Sequence, residues 1–260
     1  MTITDLIGEL ASRGRHSFTT AEVAQAAGVS LTAARASLRR LKRKGVVAAP
    51  FRGFHVIVPP EYRRLGCLPA DQFVPQLMAH LGLDCYVALL SAARYHGAAH
   101  QQPQAFQVMV GKNRPGISCG EVEVVFHARR NVERVPTVRF NTPRGYVDVS
   151  TPEATAFDLV GYNAHAGGLD NVATLLPHLL SRTRPESLAA VAPLSPVPWS
   201  QRLGYLLELV GARDHADALE AYVARHARDA VVLAPTHDGS SVVREPQWKL
   251  IVNEKVEPDL

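Results

Sequence analysis

Two short helical segments joined by a tight turn, within residues 20–45, constrain the fold of this chain more than any other feature. Thr20 is placed to cap the segment AEVAQAA, and Gly28 can adopt the left-handed conformation that ends a helix. Ser30 can then cap a second helix, which extends to Gly45. A helix of small residues, a Gly-Val-Ser turn and a second capped helix are typical of a helix-turn-helix.

The second helix of this pair has an apolar face and a basic face. Its apolar positions recur at three- and four-residue steps and are Leu31, Ala34, Leu38 and Leu41. The opposite face carries Thr32, Arg35, Ala36, Arg39 and Arg43. Because residues three or four apart lie on the same side of a helix, this pattern predicts a buried stripe and an exposed row of arginines.

The residues after Gly45 predict strands. The segments VVAA and FHVIV flank the turn PFRG, so Arg52 is expected at the tip of a β-hairpin that ends before Pro59. A hairpin directly after the second helix is a wing. We therefore predict a winged helix-turn-helix domain over residues 1–64, with a further helix at its start around residues 3–13.

Charge is divided unevenly along the chain. Residues 1–64 hold eleven Lys or Arg against four Asp or Glu, a net charge of +7, whereas residues 65–260 hold seventeen against twenty, a net charge of −3. Duplex DNA is densely anionic, and the arginine fork can both displace its counterions and bond guanine edges. The basic helix is therefore expected to bind double-stranded DNA.

The side chains of this expected interface fall into three groups. Arg35 and Arg39 are predicted to contact base edges, and Ser30 and Thr32, at the helix N-terminus, to contact phosphates or base edges. The remaining basic residues are predicted to anchor phosphates without discriminating sequence, and they are Arg40, Lys42, Arg43, Lys44 and Arg52.

The rest of the chain predicts a larger mixed domain over residues 65–260. Pro69 and Pro75 favour a hinge at its start, strand patterns follow between residues 106 and 149, and Thr151 is placed to cap the first of several later helices. The predicted fold class is thus α+β: an N-terminal winged helix-turn-helix domain, then a larger domain with a small antiparallel sheet and several helices.

Cysteine content and hydropathy exclude several classes. The three cysteines, Cys67, Cys85 and Cys119, lie far apart, so they predict neither a disulfide scaffold nor a four-cysteine zinc site and fit a reducing compartment. The N-terminus lacks the pattern of a signal peptide, and no segment of about 18 uncharged apolar residues is present. We expect a cytoplasmic protein without a membrane span.

A metal site is not expected. His96 and His100 have a spacing that could place two imidazoles on one ion, but no H-E-x-x-H glutamate or third ligand accompanies them. A packed or solvent-facing histidine explains each of them better, and no cofactor is predicted.

Catalysis is not expected either. Glu121, Glu123 and Asp148 fall in the strand-rich region, yet no lysine follows in a matching strand, and alternate acidic residues commonly mark the wet face of a strand. The chain also lacks a P-loop, a G-x-G-x-x-G after a strand and a G-x-S-x-G motif. No catalytic residue is therefore assigned, and the protein is predicted not to be an enzyme.

Several segments together resemble the AbiEi family of bacterial abortive-infection antitoxins. They are the N-terminal winged helix, YVALLSAARYHGAAHQ, RFNTPRGYVDVSTPEATAFDLVGY, GGLDNVATLL and QRLGYLLE. The resemblance spans essentially the whole chain, and VSTPEATAFDLV with GGLDNVATLL is its most specific element.

The resemblance implies an antitoxin of a type IV toxin-antitoxin pair, encoded beside a nucleotidyltransferase-like toxin that it counteracts without forming a stable complex. It also implies that the N-terminal domain represses the shared promoter by binding operator repeats, whereas the C-terminal domain counteracts the toxin. Roles carry over only to Ser30, Thr32, Arg35, Arg39 and Arg52; for residues 150–153 a structural role as a helix start is expected.

Two other functions stay open from the sequence. One is a ligand-sensing winged-helix repressor with a pocket in the C-terminal domain. The other is a metal-dependent nuclease that the winged helix delivers to its substrate, for which Glu123 and Asp148 are the residues to test.

Overall fold

A computed structural model describes residues 2–99, 103–235 and 243–259, and over these ranges it contains ten α-helices and twelve strands. The helices are α1 (Ile3–Ser12), α2 (Thr20–Ala27), α3 (Leu31–Arg43), α4 (Val74–Leu81), α5 (Leu89–Tyr95), α6 (Pro152–Gly161), α7 (Gly168–Leu180), α8 (Pro185–Val191), α9 (Val197–Leu209) and α10 (Arg213–His226). The strands are β1 (Ser17–Thr19), β2 (Val47–Phe51), β3 (Phe54–Ile57), β4 (Cys85–Val87), β5 (Phe106–Val110), β6 (Ile117–Cys119), β7 (Val122–Ala128), β8 (Thr137–Thr142), β9 (Gly145–Ser150), β10 (Val231–Val232), β11 (Val243–Glu245) and β12 (Leu250–Val252). The protein is thus of mixed α and β structure, as predicted.

Two compact units share the chain, and each consists of segments that are separate in sequence. The first unit comprises Met1–Tyr86, Gln104–Val132 and Arg139–Asp148. The second unit comprises Val87–Pro103, Glu133–Val138 and Val149–Leu260. The predicted domain boundary after residue 64 falls inside the first unit and stays a prediction.

The first unit begins with α1, α2, α3 and a three-stranded sheet of order β1-β3-β2. The hairpin of β2 and β3 forms where the sequence predicts it. Strand β1 was not predicted, because its three residues are too short for a periodic pattern. It pairs antiparallel with β3, with Phe18 opposite His55, and Phe18 is buried in the core of this region.

The N-cap of α2 differs from the prediction. Thr19, not Thr20, accepts the backbone N–H of Glu22 at 3.1 Å, and the Glu22 carboxylate accepts the Thr19 backbone N–H at 2.6 Å. This reciprocal pair needs the three-residue spacing between Thr19 and Glu22, which satisfies two backbone donors at once. Thr20 instead has its hydroxyl 2.9 Å from Nε2 of His55.

A second core of the first unit joins the hairpin to residues far along the chain. Phe54, Val56 and Val58 are buried in the same cluster as Val108 and Phe126, which lie on β5 and β7. Burial of this kind removes apolar surface of both segments from water and stabilises them together. The β2–β3 hairpin therefore depends on residues beyond position 100 for part of its burial.

The largest sheet has six strands in the order β6-β7-β5-β4-β9-β8 and corrects the prediction of a small antiparallel sheet. Strands β5 and β7 are parallel, as are β4 and β9, whereas β6 and β7 are antiparallel. Parallel neighbours need a crossover of about a dozen residues. Residues 111–121, which include the unpredicted strand β6, supply that connection between β5 and β7.

In the second unit α6 is buried on most of its surface and packs against α5, α7 and α9. Two tryptophans lie against glycines of neighbouring helices: a Cβ at Gly161 would be 2.2 Å from the Trp199 ring, and a Cβ at Gly204 would be 2.0 Å from the Trp248 ring. Seven consecutive residues of α6, Ala154 to Val160, are buried and include the polar Thr155 and Asp158, so this helix lies in the core. The last strands form a sheet of order β10-β12-β11.

Candidate nucleic-acid interface

The N-terminus of α3 is set by the turn that precedes it. Gly28 has φ of 65°, and the Val29 N–H bonds the Ala24 carbonyl at 3.0 Å, so α2 ends there. The Ser30 hydroxyl accepts the Ala33 N–H at 3.2 Å, as the sequence predicts. The remaining N–H groups of the first turn of α3 are therefore free to face an anion.

The predicted apolar stripe holds α3 in place. Ala34, Leu38 and Leu41 are at most 8% exposed and share a core with residues of α1, α2 and β2. Leu31 differs, because its side chain is 48% exposed and lies outside this core. Burial of the other three fixes which side of α3 faces water.

All nine predicted DNA-contacting residues are exposed to solvent. They are Ser30, Thr32, Arg35, Arg39, Arg40, Lys42, Arg43, Lys44 and Arg52. Across residues 2–99, 103–235 and 243–259, no carboxylate forms an ion pair with Arg35, Arg39 or Arg43. The fold therefore leaves the charges on this face uncompensated and available to a polyanion.

Two basic residues of α3 lie beside other groups. The Arg40 guanidinium donates to the Ser37 hydroxyl at 2.9 Å, which restrains it along its own helix. Burial, and then the charge of Lys42, lower the pKa of His55 on β3. Arg40 and Lys42 thus flank the row formed by Arg35, Arg39 and Arg43.

Arg52 lies at the tip of the β2–β3 hairpin, in a two-residue turn with Gly53, which has φ of 80°. The tip is attached to α2, because the Thr20 N–H donates to the Gly53 carbonyl at 2.9 Å. The Thr20 side chain also contacts His55 on β3. The hairpin is therefore short and held at its tip, and Arg52 projects from a fixed position near the start of α2.

The three acidic residues weighed for a nuclease do not come together. Glu123 is on β7 and Asp148 is on β9, with β5 and β4 between them in the sheet, a separation of about 14 Å at the usual strand spacing. Asp148 accepts from Arg139 at 3.0 Å, and Glu121 lies in the turn before β7. Within the described ranges, no group of three His, Cys, Asp or Glu side chains is arranged to hold a metal ion.

Of the histidine pair, His100 lies outside the described residues. His96 lies at the C-terminal end of α5, where its Nε2 donates to the Ser150 carbonyl at 2.7 Å. Burial lowers the pKa of His96 below its usual value, against the smaller opposing effect of that hydrogen bond. This ring therefore has a structural contact of the kind that the sequence favoured.

The two motifs that carry the family resemblance have structural contacts. Thr151 caps α6 by accepting the Ala154 N–H at 3.3 Å, with Pro152 at the first helical position. The buried hydroxyls of Ser150 and Thr155 are 2.7 Å apart, and Thr155 also donates to the Thr151 carbonyl at 2.8 Å. Residues 150–155 thus join β9 to α6.

The glycine-rich motif positions α7 and the chain end. Gly167 has φ of 82°, and Asn171 donates from its side chain to the Ala166 carbonyl at 2.6 Å. Asp170 accepts the Glu257 N–H at 2.8 Å, so the motif also fixes the last described residues. Sequence reasoning could not foresee this contact, because it joins positions 87 residues apart.

No helix among the described residues is long and apolar enough to cross a membrane. Residues 86–209 match the family model of the AbiEi antitoxin C-terminal domain, which confirms the resemblance over these residues. Among the curated proteins, none matches the sequence. The crystal structure of the RV2827C protein from Mycobacterium tuberculosis has a similar fold, with a TM-score of 0.68, 22% identity, and coverage of 95% of this chain and 89% of that chain.

Proposed function

On the premise that residues 86–209 are an AbiEi antitoxin C-terminal domain, we propose that this chain is the antitoxin of a type IV pair and also represses its own promoter. The antitoxin part of this proposal follows from the family match. The repressor part is supported by one observation, the exposed and unpaired cationic face of α3. The first elements of the chain then serve as a winged helix-turn-helix, with α3 as the helix that enters the DNA.

The major groove of B-DNA is about 12 Å wide and admits one α-helix. With the stripe of Ala34 and Leu38 buried, α3 presents Thr32, Arg35 and Arg39 outward. Arginine bonds both O6 and N7 of guanine, so Arg35 and Arg39 are proposed to specify base sequence.

The other contacts are proposed to fix the position of the protein on the duplex. Ser30 and Thr32 are at the N-terminus of α3, where backbone N–H groups and the helix dipole favour a phosphate. The remaining cations are proposed to neutralise phosphates along the same duplex, and they are Arg40, Lys42, Arg43, Lys44 and Arg52. Neutralisation of several phosphates makes affinity fall steeply with salt.

Fluorescence anisotropy tests the repressor proposal with two labelled duplexes, one from immediately upstream of the gene and one of scrambled sequence. The full chain is expected to prefer the upstream duplex. Arg35→Ala or Arg39→Ala should cost about 1–3 kcal/mol on that duplex and reduce the preference. Arg130→Ala removes the same charge from an exposed position elsewhere and should change neither.

Two results would contradict this assignment. Equal losses on both duplexes would reassign Arg35 and Arg39 to phosphates. If binding is equally strong in Arg35→Ala, Arg39→Ala and Arg130→Ala, α3 is not part of the interface.

Growth tests the antitoxin proposal, with the neighbouring nucleotidyltransferase-like gene as the expected toxin. Co-expression of the full chain should restore growth to cells that express the toxin, and the double variant Arg35→Ala/Arg39→Ala should restore it equally well while losing repression. We favour this variant over a truncated chain, since deletion of residues 1–64 would remove Phe54 and Val56 from a shared core. Failure of the full chain to rescue growth would contradict the antitoxin role.

A further inference from the structure

The first unit contains a polar cavity. None of the residues on the exposed face of α3 lines it. Its volume is about 360 Å³. Its lining comes from the turn between α1 and β1, from α4 and the segment that leads into it, and from the turn between β8 and β9. Six of the lining side chains are cationic, imidazole or amide groups, and they are Arg13, Arg15, His16, Gln72, Gln76 and Arg144.

Four of these residues each carry a buried polar atom that has no hydrogen-bond partner among the described residues. These atoms are Nδ1 of His16, Oε1 of Gln72, Oε1 of Gln76 and Nε of Arg144. Buried polar atoms in native proteins are nearly always bonded, so one unpaired atom already needs an explanation. Four such atoms on the side chains that line a single cavity indicate that the cavity is suited to polar matter.

Hydrogen bonds within the protein fix the orientation of the Gln72 and Gln76 side chains. The Gln76 amide donates to the Arg144 carbonyl at 3.2 Å, and because a carbonyl only accepts, Oε1 of Gln76 must be the atom left over. The Gln72 amide lies 3.0 Å from the Tyr62 hydroxyl, to which it donates. Two acceptors therefore remain for a molecule that offers O–H or N–H donors.

The charge around the cavity is positive. Three arginines line it and no acidic residue does. Arg13 and Arg15 are paired with Glu9 and Glu22, which lie outside the lining. Arg144 has the weakest compensation, since its side chain is 12% exposed and only its far end reaches Glu61, at 3.4 Å.

Arg144 also affects its neighbour in the cavity. Burial, and then the positive charge of Arg144, lower the pKa of His16, so the imidazole is neutral at neutral pH and can donate or accept at Nδ1. An anion beside Arg144 would favour the protonated ring. The cavity thus combines a cationic donor, an adaptable ring and two acceptors.

We propose that this cavity binds a small organic anion that also carries hydroxyl or amino donors, the chemistry of a sugar phosphate or a hydroxy acid. The anionic group lies against the Arg144 guanidinium and the His16 ring, and the donors bond the side-chain amides of Gln72 and Gln76. The cavity volume falls in the range of small-molecule sites, about 300–1,000 Å³. This inference does not depend on the proposed DNA binding.

Isothermal titration of the full chain tests the proposal with D-ribose 5-phosphate, L-tartrate, inorganic phosphate and D-ribose. At least one of the first two should bind ten or more times as tightly as phosphate or ribose. Arg144→Gln and Gln76→Glu should each weaken that binding at least tenfold, whereas Arg130→Gln should leave it unchanged. His16→Asn is a milder variant in case Arg144→Gln does not fold, and thermal melting without ligand reports folding of each.

A second readout follows the His16 ring by NMR, and its pKa should rise when the organic anion is bound. The proposal is overturned if neither organic anion binds saturably, if phosphate alone binds as tightly, or if the cavity variants bind like wild type. It is also overturned if duplex DNA displaces the anion and Arg144→Gln weakens DNA binding, since the cavity would then be a phosphate contact of the nucleic acid. Loss of DNA binding in Arg35→Ala leaves anion binding unaffected, so the two proposals fail separately.

Discussion

Helix α3 and the segment from Ser150 to Asn171 use polar side chains in opposite ways. On α3 the exposed row of arginines has no acidic partner within the described residues, although the helix itself is capped and packed. In the second segment the polar side chains of the motifs bond the backbone or each other, as Ser150 and Thr155 do. The segment that resembles the family therefore uses its polar side chains to stabilise the fold, and the side chains free for a ligand lie elsewhere. A specific motif and a functional site are separate properties of this sequence.

The largest effect expected from this contrast is on stability. Thr155→Val removes a buried hydroxyl with partners at 2.7 and 2.8 Å and should lower the free energy of unfolding by about 1–3 kcal/mol. The matched change Thr32→Val, on the exposed face of α3, should alter it by no more than about 0.5 kcal/mol. Urea unfolding of both variants measures this difference. Equal losses of stability in the two variants would contradict the prediction.

The two helix caps are expected to differ in their effect on DNA binding. Ser30 and Thr151 each accept a backbone N–H at the start of a helix, so Ser30→Ala and Thr151→Ala should each cost about 1 kcal/mol of stability. Only Ser30→Ala should also weaken binding to the upstream duplex. Anisotropy at a temperature where both variants are folded measures this, and an equal loss of affinity in Thr151→Ala would show that the effect is indirect.

Acidification should lower the free energy of unfolding through two partly buried histidines, His55 and His96. The pKa values of His55 and His96 are lowered in the folded state, chiefly by burial, so each ring is neutral in the fold. Their contribution to stability is fully present above the unfolded pKa of about 6.5 and is lost as the pH falls through the lower folded value. Unfolding free energy measured between pH 7.5 and 5 should fall, and His96→Gln should make the fall shallower. A flat profile would mean that neither ring is held neutral.

The smallest effect concerns one phosphate contact. Arg43→Ala should reduce the slope of log affinity against log salt by about 0.9, without changing the preference for the upstream duplex. Arg130→Ala should leave the slope as it is. Unchanged slopes in both would place Arg43 outside the contact.

Local patterns in the sequence predicted much of the fold. The caps at Ser30 and Thr151, the buried stripe of α3 apart from Leu31, and the β2–β3 hairpin depend on residues a few positions apart, and the structure contains all of them. The exposure of Thr32, Arg35, Arg39 and Arg43 also followed from helical periodicity. Their role on DNA stays a prediction.

Several errors have a common physical cause. Strand β1 has three residues and exists through its pairing with β3, more than thirty residues along the chain, whereas β6 pairs with the adjacent β7 and was missed because it is only three residues long. The parallel pairing of β5 with β7 is likewise a matter of long-range contacts. The cavity around Arg144 draws its lining from three distant stretches of sequence, so no motif could indicate it.

The shared core of the β2–β3 hairpin has a consequence for synthesis. Phe54, Val56 and Val58 are translated early, but Val108 and Phe126, against which the same cluster is built, leave the ribosome much later. The nascent chain must extend to about Asp148 before the first unit has all its segments. A newly made chain would therefore complete the burial of the hairpin that carries Arg52 only when more than half of it has emerged, whereas the core beneath α3 is built from residues 3–57 alone.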